Sequence, residues 1–311
     1  MTSPGRLPAP AWWPGWILIT LLALLMPPGS LRSAADPARE KAASLVATNR
    51  PLIIAHRGYS GLAPENTREA FRLAMAAGSD LVELDYYHSQ DGVPMVFHDT
   101  TLDRTSDAVR RWQEKKLRVS SRPAEALATL DVGSWFHPRF ADQRMPRLAE
   151  ALDLIQSNGV TLIERKEGDA ATCVRLLRER GLINEVIVQA FDWAYLRDFH
   201  QLEPRQVLGA LGPPGSRAGR RLAEDEKTLS AAWVEEARQT GARIVVWNRQ
   251  IDAAGVAAAR RHGLKVWAYT INDAATANAL LDLGIDGIIT DHPAILWRTL
   301  ARRPARPPGQ P

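Results

Sequence analysis

From residue 52 onward the sequence repeats one local pattern: a short apolar run, an amphipathic stretch, a glycine, and another short apolar run. The apolar runs are LIIA (52–55), LVELD (81–85), VTLIE (160–164), VIVQA (186–190), QVLGA (206–210), RIVVW (243–247), KVWAYT (265–270) and GIIT (287–290). Each has the length of a buried strand. Helical patterns fall between them at 67–77, 147–158, 170–180, 193–202, 231–240, 252–262 and 273–283. Gly78, Gly159, Gly181, Gly241, Gly263 and Gly284 follow six of these, where a helix end favours a residue tolerant of positive φ. Helix, glycine and strand in this order are the mark of parallel βα units. Eight strands over about 250 residues fit a (β/α)8 TIM barrel. An open doubly wound sheet is the competing architecture. The barrel is preferred because polar residues end strands along the whole chain, and a closed ring gathers such ends whereas an open sheet has one switch point. No sequence-level repeat and no interior linker is visible.

One stretch breaks the rhythm. Residues 86–159 are too many for a single crossover, and an insertion over about 86–145 after the second strand is expected to cap the barrel mouth. It contains VPMVFHD, which has the pattern of a short extra strand, the basic run RRWQEKKLR, expected to be a solvated face, and DVGSWFHPRF.

The chain ends have a different character. Residues 16–26 (WILITLLALLM) form an apolar stretch of signal-peptide length, with Arg6 before it and the small residues Ser33-Ala34-Ala35 after it. The expectation is a signal peptide over 1–35 and an exported, periplasmic or secreted protein. An uncleaved N-terminal membrane anchor is the alternative, although the stretch is shorter than the roughly 20 residues of a typical span. Membrane contact is expected only through that segment, if it is uncleaved. Residues 36–50 are a helical or disordered lead-in, 51–300 the barrel domain, and 301–311 an Arg/Pro-rich disordered tail. Between 36 and 300 there are 34 basic and 35 acidic side chains, so the +4 net charge lies at the ends and a nucleic-acid partner is not expected. The single cysteine, Cys173, permits no intrachain disulfide and lies in a helical run as a small core residue.

The strand ends carry the chemistry. His56 and Arg57 follow the first strand, Glu83 and Asp85 end the second, His98 and Asp99 end VPMVFHD, and Glu164 and Lys166 end the third. Residues i and i+2 of a strand share a face, so Glu83 points with Asp85 and Glu164 with Lys166. Three carboxylates converging on a barrel mouth call for a divalent cation with oxygen ligands, Mg2+ or Ca2+. Arg57 and Lys166 suit an anion, and two imidazoles suit proton transfer near neutral pH. Metal, anion and an acid/base pair together describe phosphoryl transfer.

HRGYSGLAPENT (56–67), ELDYYHSQDGVPMVFHDTTLDRTS (83–106), IERK (163–166), WAYTIND (267–273) and LGIDGIITDHP (283–293) closely resemble the glycerophosphodiester phosphodiesterase family. The resemblance covers about 52–300 and implies a TIM barrel with a small insertion after strand two. It implies that His56 and His98 are the general acid/base pair. By the same resemblance Glu83, Asp85 and Glu164 bind Ca2+ or Mg2+, and Arg57 and Lys166 hold the phosphate. The implied reaction is hydrolysis of a small glycerophosphodiester to sn-glycerol 3-phosphate and an alcohol, through a cyclic phosphate or by direct attack of water. Trp267 and Tyr269 share a strand face and wall the pocket or fill the barrel. Two departures from the family pattern stand out. Arg165, where an aliphatic residue is usual, should face away from the interior and need a carboxylate partner or a route to solvent. Tyr269 stands where Trp is common and bears on the shape of the alcohol pocket. Two rival readings are a lysophospholipase D-like lipid phosphodiesterase, favoured if Trp112, Trp135 and Phe136 are exposed, and a non-catalytic phosphate-binding barrel. The second would be expected to lack a histidine or a carboxylate, and none is missing.

Overall fold

The computed structural model describes residues 40–217 and 219–303, together with Met1. The apolar segment 16–26, its expected cleavage position and the tail beyond Arg303 lie outside the described residues. Eight parallel strands close into a barrel: β1 (Leu52–Ala55), β2 (Leu81–His88), β4 (Thr161–Arg165), β5 (Ile187–Ala190), β6 (Val207–Gly212), β9 (Ile244–Trp247), β10 (Lys265–Ala268) and β11 (Gly287–Thr290). Two pairings of β1 complete the ring, one with β11 (Ile53 opposite Ile288) and one with β2 (Ala55 opposite Val82). The open-sheet alternative is thereby excluded. Leu52, Ile54, Leu162, Ile187, Val246 and Trp267 fill the interior. The alternate residues, such as Ile53, Leu84, Ile163, Val188 and Val266, pack outward.

The outer helices include α2 (Arg68–Ala76), α6 (Ala170–Glu179), α7 (Trp193–Leu202), α8 (Ala231–Arg238), α9 (Ala253–Arg261) and α10 (Ala274–Leu283). Each starts at a capping side chain, respectively Thr67, Asp169, Asp192, Ser230, Asp252 and Asp273, which accepts a bond from a first-turn N–H. Five of the six helix-ending glycines have positive φ; Gly159 does not, and its N–H bonds Ile155 O at 2.8 Å.

Several elements differ from expectation. β2 runs three residues further, to His88, because Tyr86–His88 pair antiparallel with β3 (Pro94–Val96) of the insertion. Glu83 and Asp85 therefore lie within the strand rather than at its end. A further helix, α11 (Pro293–Ala301), follows the last strand, with Pro293 in its first turn. A small hairpin, β7 (Ser216–Arg217) and β8 (Arg220–Arg221), follows β6. The insertion carries α3 (Ala108–Trp112) and α4 (Ala124–Leu127), and α5 (Leu148–Gln156) resumes the barrel. It has its own core, with Met95, Phe97, Leu102, Val119, Leu127 and Leu130 buried together. Of its basic run, Arg110, Arg111, Lys115 and Lys116 are exposed.

The lead-in forms α1 (Lys41–Val46). Ala42 and Val46 join the interior cluster, Ala42 N–H bonds Asn184 O just ahead of β5 at 3.2 Å, and Lys265 Nζ at the start of β10 donates to Thr48 O at 3.1 Å. These contacts seat α1 across the N-terminal end of the barrel, opposite the mouth. Ala42→Asp places an unpaired carboxylate in that fully buried position and should lower stability by about 2–4 kcal/mol, read as a fall in the urea midpoint. An unchanged midpoint would mean that α1 does not close the floor.

Candidate active site

Where β1 ends, His56 N–H bonds Thr290 O at 2.9 Å, and Arg57 and Gly58 then take positive φ values of 53° and 80°. A side chain at Gly58 would put its Cβ 2.6 Å from the Ala70 backbone, so only glycine fits this turn against α2. The turn delivers Arg57 N–H to Glu83 Oε2 at 2.6 Å and Gly58 N–H to Glu83 O at 3.1 Å. Imidazole and guanidinium then diverge: His56 faces β11, and Arg57 Nη1 donates to Glu65 Oε1 at 2.7 Å.

Glu83, Asp85 and Glu164 are buried, and one oxygen from each lies within 4.8 Å of the others. β2 and β4 pair with Asp85 opposite Glu164, which sets both at one level of the barrel. Lys166 Nζ lies 3.1 Å from Asp85 Oδ1 and contacts Glu164 Oε1, while Arg57 Nε lies 3.5 Å from Asp85 Oδ2. Asn66, itself at φ 59°, donates from Nδ2 to Asp85 Oδ2 at 2.8 Å and accepts the Asp85 N–H at 3.2 Å. Asn and Thr both suit the start of a helix. Thr67 caps α2, and Asn66 is instead a brace for a site carboxylate.

The three carboxylates respond differently. Burial opposes ionisation of Asp85, but Lys166, Arg57 and His98 outweigh it and hold its pKa at about 2. Burial, then the charges of Asp85 and Glu164, push Glu83 well above the carboxylate range. Burial and Asp85 raise Glu164 as well. Glu83 Oε1 has no hydrogen-bond partner among the described residues. This is an acid-rich set of hard oxygen donors with an orphaned oxygen, and it fits a hard divalent cation.

Each histidine is held by an aspartate. His56 Nδ1 lies 2.7 Å from Asp291 Oδ1, and Asp291 also accepts from Ser60 Oγ at 2.9 Å and Asn272 Nδ2 at 2.6 Å. His98 Nδ1 lies 2.7 Å from Asp99 Oδ1, and Asp99 accepts from Arg104 Nε and Nη2 at 2.5 and 2.8 Å. Arg104 also donates to both oxygens of Glu65, at 2.9 and 2.7 Å, which ties the insertion to the barrel.

A cavity of about 220 Å³ opens among these groups, lined by His56, Arg57, Glu83, His98, Glu164 and Lys166 on its polar side. The rest of its lining is Gln189, Phe191, Leu211, Tyr269, Thr270 and Ile289. Asp85 lies just beneath the lining, bonded to Asn66 and Lys166. Tyr269 walls the cavity edge-on to Phe191, with ring centroids 6.0 Å apart. Trp267 does not line it; fully buried, it fills the barrel interior one step below. Arg165 points outward, as its position on the strand requires, and finds its partners in Asp192 Oδ2 at 2.9 Å, Gly168 O at 2.8 Å and the ring of Tyr195. In the insertion Trp112 packs on the cap core under Arg122, Phe136 is half-buried against Phe140, and Trp135 is exposed. Gln189 and Phe191 were missed from sequence because they sit inside or just after an ordinary apolar run.

A closed parallel barrel with carboxylates, imidazoles and cations gathered at the C-terminal ends of its strands has the layout of an enzyme. The chain belongs to the glycerophosphoryl diester phosphodiesterase family, whose model matches residues 56–295, and so to the phosphoric diester hydrolases. It is 30% identical over 246 residues to a putative glycerophosphodiester phosphodiesterase of Bacillus subtilis, covering 78% of this chain and 94% of that protein. It is 30% identical over 254 residues to a glycerophosphodiester phosphodiesterase of Caldanaerobacter subterraneus, covering 79% and 96%. Among solved structures it is similar to a phosphodiesterase of Oleispira antarctica in complex with the product sn-glycerol 3-phosphate. The TM-score is 0.71 and the identity 27%, over 84% of this chain and 99% of that one. Such relatives favour neither the lysophospholipid nor the non-catalytic reading.

Burial works against ionisation of Asp99 and Asp291, yet their hydrogen bonds, led by those from His98 and His56, hold both below the ordinary 3.8. A carboxylate depressed on folding adds stability that is complete above its unfolded value and is lost as pH falls through its folded one. Arg104→Met returns Asp99 toward the ordinary value. The acid limb of the stability–pH curve, measured by urea unfolding between about pH 5 and 2, should become shallower. An unaltered slope would show that Arg104 does not hold Asp99.

Proposed function

We propose that the chain hydrolyses glycerophosphodiesters to sn-glycerol 3-phosphate and an alcohol, with His56 and His98 as the acid/base pair. The observation that carries this is the pair of Asp-held histidines on the rim of one cavity with three clustered carboxylates and two cations. Glu83, Asp85 and Glu164 would hold Ca2+ or Mg2+, which when bound supplies positive charge to the non-bridging oxygens of the phosphodiester.

Arg57 and Lys166 face the same oxygens and oppose the negative charge that builds on them in the transition state. Asp291 and Asp99 accept from Nδ1–H of their histidines, which leaves each Nε2 to exchange a proton. One imidazole takes the proton of the attacking hydroxyl, either the substrate's own glycerol hydroxyl or water, and the other protonates the departing oxygen. Tyr269 and Phe191 offer aromatic walls to the glycerol or the alcohol. The apolar segment 16–26 supports an exported protein.

The test is release of glycerol 3-phosphate from glycerophosphocholine and glycerophosphoethanolamine. Activity should vanish after EDTA and return with Ca2+ or Mg2+; full turnover in protein shown to be metal-free would exclude the ion. His56→Ala and His98→Ala should each lower kcat by about 10²–10⁴. Near-wild-type turnover in either variant would remove that histidine from the acid/base pair.

A further inference from the structure

We propose that Gln189 is a specificity-determining residue: its carboxamide hydrogen-bonds a hydroxyl of the glycerol moiety bound in the cavity. This rests on the glycerophosphodiester reading above.

Gln189 is 1% exposed, and its Oε1 is buried with no hydrogen-bond partner among the described residues. Two neighbouring carboxamides at the barrel are satisfied on both their oxygen and their nitrogen. Gln206, equally buried, donates to Val186 O at 2.5 Å and accepts from Asn184 N–H at 3.3 Å. Gln156 accepts from Thr161 N–H at 2.8 Å and donates to Glu185 O at 3.1 Å. An uncompensated buried amide costs free energy, and a hydrophobic residue would fill this interior position without that cost. Asn184 Oδ1 at the opposite end of the barrel is also without a partner, but of the two only Gln189 lines the cavity.

Its neighbours define what it can meet. On one side Gln189 is in register with Glu164; on the other it is in register with Gly209. Gly209 has no side chain, and a Cβ there would lie 3.3 Å from the Gln189 Cβ and 3.2 Å from Val246. A side chain at Gly209 would crowd the Gln189 side chain, so the glycine lets Gln189 keep its place beside it. Around it Leu211 and Ile289 are apolar, and the Tyr269 hydroxyl already donates to Gly212 O at 2.8 Å. The phosphate finds its cations in Arg57 and Lys166, which line the same cavity. A neutral group that can both donate and accept, between the carboxylate cluster and apolar side chains, complements a hydroxyl, which also does both.

The experiment uses the full chain and two variants, Gln189→Met and Gln189→Leu. Choline release is followed from glycerophosphocholine and from two analogues, 2-hydroxypropyl and 3-hydroxypropyl phosphocholine, each lacking one glycerol hydroxyl. The wild type should favour glycerophosphocholine over one analogue by about 10- to 100-fold in kcat/KM. Both variants should lose that factor on glycerophosphocholine and lose nothing on that analogue. Their Tm should equal or exceed that of the wild type, since the substitution removes an orphaned polar atom. An equal fall on all three compounds, or no fall on glycerophosphocholine, overturns the role of Gln189 while leaving the phosphodiesterase reading intact. A wild type that releases no choline from any of the three overturns the glycerophosphodiester reading, and this assignment with it.

Discussion

The site depends on burying three carboxylates close together in the barrel and compensating them there. Away from water, like charges at this spacing repel strongly, and an uncompensated one is costly to keep. Two cations and a set of oriented dipoles hold the arrangement: Lys166 between Asp85 and Glu164, Arg57 beside Asp85, its N–H on Glu83, and Asn66 on both polar ends of Asp85. The tight turn at Gly58 serves the same end, because it aims the Arg57 N–H at Glu83. Compensation is incomplete at Glu83 Oε1.

The insertion does more than cover the mouth. It supplies His98 together with Asp99, while the barrel supplies His56 and Asp291. The two halves are joined by Arg104, which grips Asp99 on its own side and Glu65 on the other, and Glu65 in turn holds Arg57. One acidic side chain of the PENT segment thereby couples the position of one histidine to that of the guanidinium.

Much of this was legible in the sequence, for identifiable reasons. The strand and helix alternation shows because parallel strands are continuous apolar runs and the helices between them are amphipathic. The i, i+2 spacing of Glu83 with Asp85, and of Glu164 with Lys166, shows which side chains share a face. Partnerships across long separations left no trace: His56 and Asp291 are 235 residues apart in the chain. Adjacent Asn66 and Thr67 both suit a helix cap, and only the geometry gives Thr67 that task and Asn66 to Asp85. The extension of β2 to His88 depends on pairing with β3, and its own apolar pattern cannot show that. The lead-in was too short for its periodicity to distinguish a helix from disorder; its two buried residues, Ala42 and Val46, decide the matter only once the barrel floor is in place.

That floor makes the catalytic cavity a cul-de-sac. Among the described residues, α1 closes one end and hydrophobic side chains fill the axis, so the cavity opens only at the mouth. Both entry and exit then pass the exposed ring of Phe191, so a change there bears on traffic through the mouth without touching the buried carboxylates.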